Sequence, residues 1–414
     1  MRSLIVRSFS LALLVAPVLS QAAFLEDSKT SLELRNFYFN RDFRQPGGSA
    51  GQSKQDEWAQ GFIMRYSSGF TEGPVGLGID ALGLWGVKLD SGRGERGTGL
   101  LPVHNNGDVP DEYGKLGATL KMRLSQTTFR YGTLIPDLPT VSSSDLRLLP
   151  QTFRGGQITS NEIAGLTLNT GRLTRNVQRN SSSTEKITLT NKGMTGLTPD
   201  DQFDFFSVSY KWFDNLTVSY NYANLEDNYR QNYFTLLHNL DLGTGRFLKT
   251  DVRYARSSDD GRTNVDNHAM QGMFTYRVDY QAFGLGLQKM TGDTGFAYLA
   301  GTNPYLVNFV QINDFANPNE KSWQARYDYD FAGMGIPGLS FMTRYAKGWD
   351  FKRSLTGTDN GTEWERDMDI GYVVQEGVAK NLGLKWRNAT FRSNKSGNDL
   401  DENRVILSYS IPLL

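Results

Sequence analysis

Alternation is the feature that most limits what this chain can become. "FFSVSYKW" sets Phe206, Val208, Tyr210 and Trp212 on one face and Ser207, Ser209 and Lys211 on the other. After "FDN", "LTVSYNY" repeats the pattern with Leu216, Val218, Tyr220 and Tyr222 against Thr217, Ser219 and Asn221. "SWQARYDYDF" and "NRVILSYSI" do the same further on. Strand side chains alternate across a sheet, so a sustained period of two specifies two-faced strands.

Such strands suit either a large soluble sandwich or a barrel in a membrane. Two properties favour the barrel. The apolar face is rich in aromatic residues, and its Tyr and Trp gather near strand ends, as in interfacial girdles. The opposite face carries full charges and small polar groups, which fit a wet lumen better than a dry core. A sheet in lipid must close on itself, because an open edge leaves backbone groups without partners.

The pattern yields eighteen segments: 30–41, 57–69, 76–90, 112–124, 126–136, 162–168, 170–178, 204–213, 215–228, 230–242, 246–257, 267–279, 281–291, 321–331, 338–349, 363–376, 381–392 and 402–413. The pair 162–168 and 170–178 rests on "NTG" as a tight turn. An even number fits a single-chain bacterial barrel. Short turns ("TEGP", "NTG", "FDN", "GTG") alternate with long connections at 91–111, 137–161, 179–203 and 292–320. That asymmetry distinguishes periplasmic from extracellular ends. The expected fold class is therefore all-β, a transmembrane antiparallel barrel of about 18 strands.

The N-terminus agrees. Arg2 and Arg7 precede "SFSLALLVAPVLS" and then "QAA", which has the form of a secretory signal with cleavage near Ala22. The expected organisation is a signal peptide at 1–22 and one barrel at 23–414. Removing Arg2 and Arg7 leaves 42 basic against 44 acidic side chains, a charge too balanced for nucleic-acid binding. No cysteine is present and the three histidines are far apart, so neither a thiolate nor a histidine metal site is expected, and no cofactor is indicated.

Extending the alternation places many basic residues on the lumen phase: Lys115, Lys121, Arg123, Arg130, Lys249, Arg253, Arg277, Arg326, Arg344, Lys385, Arg387 and Arg404. Asp80, Asp251, Asp328, Glu365, Asp367 and Asp369 share that phase. A single such charge is most simply a solvated wall position or one half of a wall ion pair. A row of Arg and Lys along a pore also offers an anion successive sites. A barrel this wide leaves an aqueous channel, so selectivity needs a loop folded inward. "SSSDLRLLPQTF" (142–153) lacks the period of two and carries leucines and charges between prolines.

Several stretches carry a family likeness: "RNFYFNRDFR", "SSDLRLLPQTFRGGQITSNEIAGLTL", "RYARSSDDGR", "QKMTGDTGFAYLAG", "NDFANPNEKSWQARYD" and "LGLKWRNATFRS". Together they make the chain resemble the OprD-type outer-membrane carboxylate channels, the Occ porins. The resemblance implies a monomer of eighteen strands in outer-membrane lipid, with the third and seventh extracellular loops folded inward and small carboxylate solutes as substrates. By motif, Ser143, Ser144, Asp145 and Arg147 fall in the constricting third loop and Asp314 in the seventh. Lys121, Arg123, Arg130, Arg326, Arg344, Lys385 and Arg387 form the implied basic ladder, and Arg44 lies near enough to the first loop to reach the lumen. One departure is the ending "SIPLL", which sets Pro412 and Leu414 off the lipid-facing phase.

The apolar loop around an arginine, "IPDLPTVSSSDLRLLP", suits cyclic or aromatic monocarboxylates such as benzoate-like acids. The family's other branch favours basic amino acids, for which Asp314 offers an acid. A more distant reading is an outer-membrane barrel enzyme. It would need a nucleophile–base set, but no GxSxG stretch occurs, and His104 and His268 read as exposed loop residues. A soluble β-rich binding protein is the third reading.

Overall fold

The computed structural model describes residues 24–45, 51–352, 360–395 and 398–414. The signal-peptide expectation for 1–22 lies outside them. Twenty strands follow in chain order: β1 (Lys29–Phe43), β2 (Lys54–Ser67), β3 (Val75–Asp90), β4 (Glu112–Leu124), β5 (Thr127–Leu134), β6 (Asp137–Leu138), β7 (Val141–Ser142), β8 (Thr152–Ser160), β9 (Leu166–Val177) and β10 (Phe203–Phe213). Then come β11 (Leu216–Leu225), β12 (Tyr229–Gly243), β13 (Arg246–Asp259), β14 (Asp266–Val278), β15 (Gln281–Thr291), β16 (Lys321–Asp330), β17 (Leu339–Phe351), β18 (Gly361–Val373), β19 (Gly383–Ser393) and β20 (Leu400–Pro412).

Eighteen of these form one antiparallel sheet. The sheet closes because β1 pairs with β2 on one edge and with β20 on the other, from Ser31 opposite Pro412 to Phe43 opposite Leu400. Closure gives nearly every strand two neighbours, which is what lipid requires of a sheet. β6 and β7 pair only with each other, as a small hairpin within the third loop.

The wall follows from the alternation. Leu116, Leu120, Trp212, Phe234 and Leu285 project outward and are exposed, as a lipid-facing belt must be. Periplasmic turns are tight. Thr244 and Gly245, both with positive φ, turn the chain between β12 and β13, in keeping with the right-handed twist of the strands they join.

One region differs from the expectation. Asn169, Thr170 and Gly171 are not a turn; they lie inside β9, opposite Ser207, Phe206 and Phe205. The predicted strands 162–168 and 170–178 are therefore a single strand, 166–177. The missing wall strand is β8, "TFRGGQITS", which the alternation left inside a long loop. Its consecutive glycines interrupt the pattern for a packing reason. β9 bulges where Arg154 and Gly155 meet it, and a Cβ at Gly155 would collide with the Arg172 carbonyl. The long connections become 91–111, 135–151, 178–202 and 292–320.

The extracellular half of the lumen is packed rather than open. Leu148 and Leu149 of the third loop are fully buried against Phe37, Phe39, Ala59, Ile63 and Leu84 of β1–β3. Ile187, Leu189 and Met194 of the fourth loop and Ala297 and Leu299 of the seventh pack against Phe153, Phe203 and Phe205. Apolar residues on the lumen phase thus mark where loops dock.

Candidate functional site: a constriction built by three inward loops

The third loop runs from β5 over the lumen face of β1–β3 and is fastened there by Arg35. Its guanidinium donates to both Asp145 carboxylate oxygens at 2.7 and 3.1 Å and to the Arg147 carbonyl at 2.9 Å. Glu33 holds the same guanidinium at 2.7 Å. Asp145 therefore anchors the loop. Ser144 is fully buried, and its hydroxyl accepts from Arg179 at 3.1 Å. Ser143 donates its backbone N–H to the Pro136 carbonyl, 2.8 Å away.

The seventh loop is fastened by a column of acids on β18. Backbone N–H groups of Ile312 and Asn313 donate to Glu365 at 2.8 and 2.9 Å, and that of Gln311 to Asp367 at 3.3 Å. The Asn313 amide reaches Glu363. Asp314 is buried and takes an ion pair from Lys192 at 2.6 Å and a hydrogen bond from the Tyr298 hydroxyl at 2.8 Å. Burial would push the Lys192 ammonium down, but Asp314 outweighs it and holds the ammonium above the usual lysine range. Burial, reinforced by the Asp314 charge, raises the Tyr298 phenol. Asp314 is thus committed to loop–loop contact.

The fourth loop belongs to the same assembly. Thr190 N–H donates to Tyr298 O at 2.9 Å, and Ala300 N–H to Thr188 O at 2.8 Å. The seventh loop meets the third through Asn303 N–H to Ser142 O at 2.9 Å.

Where the loops meet β1 and β20, four arginines converge. Arg41, Arg147 and Arg404 stand over the Phe39 ring, with guanidinium carbons 5.2, 5.0 and 4.6 Å from its centre. Arg179 is the fourth. One wall carboxylate faces them, Glu402, which receives Arg41 at 2.8 Å and Arg404 at 2.5 Å. The aromatic face contributes cation–π attraction to each stacked guanidinium. Arg147 has no acid partner among the described residues: its Nε donates to the Thr98 carbonyl at 3.0 Å. Burial pushes the Arg147 guanidinium down, and Arg404 and Arg179 add repulsion. Arg179 is lowered by burial and then by Arg404 and Arg41. Guanidinium stays protonated in proteins, so both positive charges persist in this buried setting.

Arg147 and Arg179 line a cavity of about 240 Å³ with Leu146, Tyr298, Phe309 and Ile312. It sets two guanidinium groups, without a carboxylate partner among the described residues, beside the apolar Leu146, Phe309 and Ile312 and the polar Thr190, Thr302, Asn303 and Gln311.

The sequence-derived ladder lies on the lumen face, mostly as ion pairs. Lys121 meets Asp80 at 2.6 Å, Arg326 meets Asp328 at 2.6 Å, and Arg344 meets Asp367 at 2.6 Å. Arg387 and Lys385 share Asp369 at 3.0 and 3.6 Å. Arg123 stacks over Phe70 at 4.4 Å. Arg130 lines a lumenal cavity of about 710 Å³ with Arg65, Asp80 and Gln157. Arg44 does not enter the lumen. It pairs with Asp42 and Asp401 near the rim, on the opposite phase to Arg41. Period two along β1 puts residues 35, 37, 39 and 41 on one face and excludes 44, so Arg41 was recoverable from alternation. Arg179 was not, because it sits in an irregular loop.

A closed eighteen-strand barrel with loops folded into its lumen is an outer-membrane channel. The sequence matches the family model described as outer membrane porin, OprD family, over residues 22–413, and the chain belongs to that family. It is 56% identical to Pseudomonas aeruginosa OpdQ, with a TM-score of 0.87 over 95% of this chain and 100% of that one. The Pseudomonas aeruginosa OpdK structure with vanillate superposes with a TM-score of 0.86 at 38% identity, over 94% of this chain and 100% of that one. The porin-like protein GalP of Pseudomonas putida is 39% identical across 99% of this chain and 98% of its own length. The protein is therefore an outer-membrane porin, not an enzyme.

Proposed function

We propose that the channel passes small carboxylate-bearing solutes and prefers cyclic or aromatic monocarboxylates to basic amino acids. One observation carries this reading. The cavity at the constriction offers Arg147 and Arg179, neither with an acid partner among the described residues, beside Leu146, Phe309 and Ile312. A guanidinium donates bidentately to a carboxylate, and Leu146, Phe309 and Ile312 receive the ring. A basic amino acid would need a free acid there, yet Asp314 is bound to Lys192 and Tyr298.

The solute enters from outside, meets the guanidinium cluster, and leaves past Arg130 and Arg65 toward the periplasm. Because Glu402 occupies only part of the cluster's charge, binding is strong enough to admit an anion and weak enough to release it. The reading is tested by liposome swelling with benzoate and with arginine. Benzoate should enter several-fold faster; equal rates, or faster arginine, would reject the preference.

A further inference from the structure

The barrel wall has one unfinished seam. β4 pairs with β5 only from Thr119 opposite Gly132 downward, so residues 112–118 have β3 on one edge and, among the described residues, no ladder partner on the other. β5 ends at Leu134, opposite Phe153, because the chain turns inward there to begin the third loop. Lys115 spans the seam, donating to the Pro150 carbonyl at 3.1 Å and the Gln178 carbonyl at 2.6 Å.

A slot of about 200 Å³ lies in the seam, and a cleft of about 630 Å³ lies outside it. Thr133 lines both, and also the large lumenal cavity. The cleft is apolar on one side, where Leu116 is 90% and Tyr131 60% exposed. On the other side stand Arg154 and Arg175. Arg175 pairs with Asp201 at 3.0 Å. The Arg154 guanidinium, on the outward phase of β8, has no acid or hydrogen-bond partner among the described residues.

An open strand edge and an unpaired guanidinium on the lipid-facing side both require polar partners. The apolar floor beside them requires an acyl chain. We propose that this cleft binds one phosphate-bearing lipid of the surrounding membrane. Its phosphate sits at Arg154 and the β4 edge, its chain lies over Leu116 and Tyr131, and the lipid seals the seam. Leu116 and Tyr131 face the membrane, so an anion reaching Arg154 beside them arrives on a lipid rather than free in water.

Native mass spectrometry of the detergent-purified barrel tests this, with dimyristoyl phosphatidic acid as probe and dimyristoyl phosphatidylcholine as the zwitterionic control. One phosphatidic acid should stay bound per barrel, with the choline lipid at least about tenfold weaker. Arg154→Gln should weaken phosphatidic acid about tenfold, a step of about 1.4 kcal/mol, and Leu116→Gln should weaken it independently. Heat-modifiable gel migration confirms that each variant is folded. Equal retention of both lipids, unchanged binding in folded Arg154→Gln, or displacement by millimolar inorganic phosphate would each overturn the proposal.

Discussion

The third and seventh loops both reach into the lumen and both are packed there, but the seventh adds a set of carboxylate anchors that the third lacks. The third is held by apolar burial: Leu148 and Leu149 are fully buried on β1–β3, with the Asp145–Arg35 pair at its exposed flank. The seventh is packed too, through Phe296, Leu299 and Phe315, but it also hangs on charge: Glu363, Glu365 and Asp367 receive its backbone and amide groups. Apolar anchoring responds weakly to pH and salt. Carboxylate anchoring responds to both, because its acceptors titrate. A constriction made of both has one wall fixed by packing and another tunable by protonation.

The largest effect should come from Leu148→Ala. Removing a fully buried leucine costs about 2–5 kcal/mol. Here the cost falls on loop docking rather than the wall, so single-channel conductance should rise and fluctuate while the barrel stays folded. Unchanged conductance would mean that the loop is held elsewhere.

Glu365→Gln comes next. It retains one acceptor for two backbone donors, and an unsatisfied buried N–H costs about 1–3 kcal/mol. Hydrogen exchange should quicken at Ile312 and Asn313 and stay unchanged at 144–149. Equal quickening in both loops would erase the contrast.

A pH effect follows from Glu320, whose Oε2 accepts from the Asn317 N–H at 3.0 Å while its other oxygen is buried without a partner. Burial raises this carboxyl, and the neighbouring Glu363 raises it further. The packed loop therefore binds a proton more tightly than the released loop does. Its contribution is full below the ordinary glutamate value of about 4.3 and fades as pH climbs through the raised one. Seventh-loop protection, measured against the intrinsic base-catalysed exchange rate, should thus fall from acid toward neutral pH, and Glu320→Gln should flatten that slope. A slope that survives the substitution would assign the titration to another group.

Asp145→Asn should have the smallest effect. The pair is partly exposed and Arg35 keeps Glu33, so the cost should stay below about 1 kcal/mol. A large rise in conductance would show that charge, not packing, holds the third loop.

The sequence revealed the wall better than the plug. Alternation located seventeen of the eighteen strands or parts of them, and the total came out even because two errors offset each other: β9 was split at Asn169–Gly171, and β8 was hidden by Gly155 and Gly156. Glycines placed for close backbone approach carry no apolar signal, so period-two reading passes over them. The third loop stood out because leucines in an irregular segment need something to bury them. The fourth loop did not: Arg179 and Lys192 sit among small polar residues, and their partners lie on other loops. Loop-to-loop contacts have no period, so their residues emerge only in three dimensions. The lumen phenylalanines show the converse limit, since Phe37 and Phe39 follow the alternation yet face loops rather than lipid.

On the proposed function, Arg147 and Arg179, which have no acid partner among the described residues, receive the solute's carboxylate. Benzoate block of single-channel current tests it most directly, comparing the native channel with Arg179→Gln and Arg130→Gln. Losing a charge-assisted hydrogen bond removes about 1.5–3 kcal/mol, so Arg179→Gln should weaken block about tenfold or more while unblocked conductance changes little. Arg130→Gln, below the constriction, should weaken it far less. Equal block in the native channel and Arg179→Gln would contradict the account.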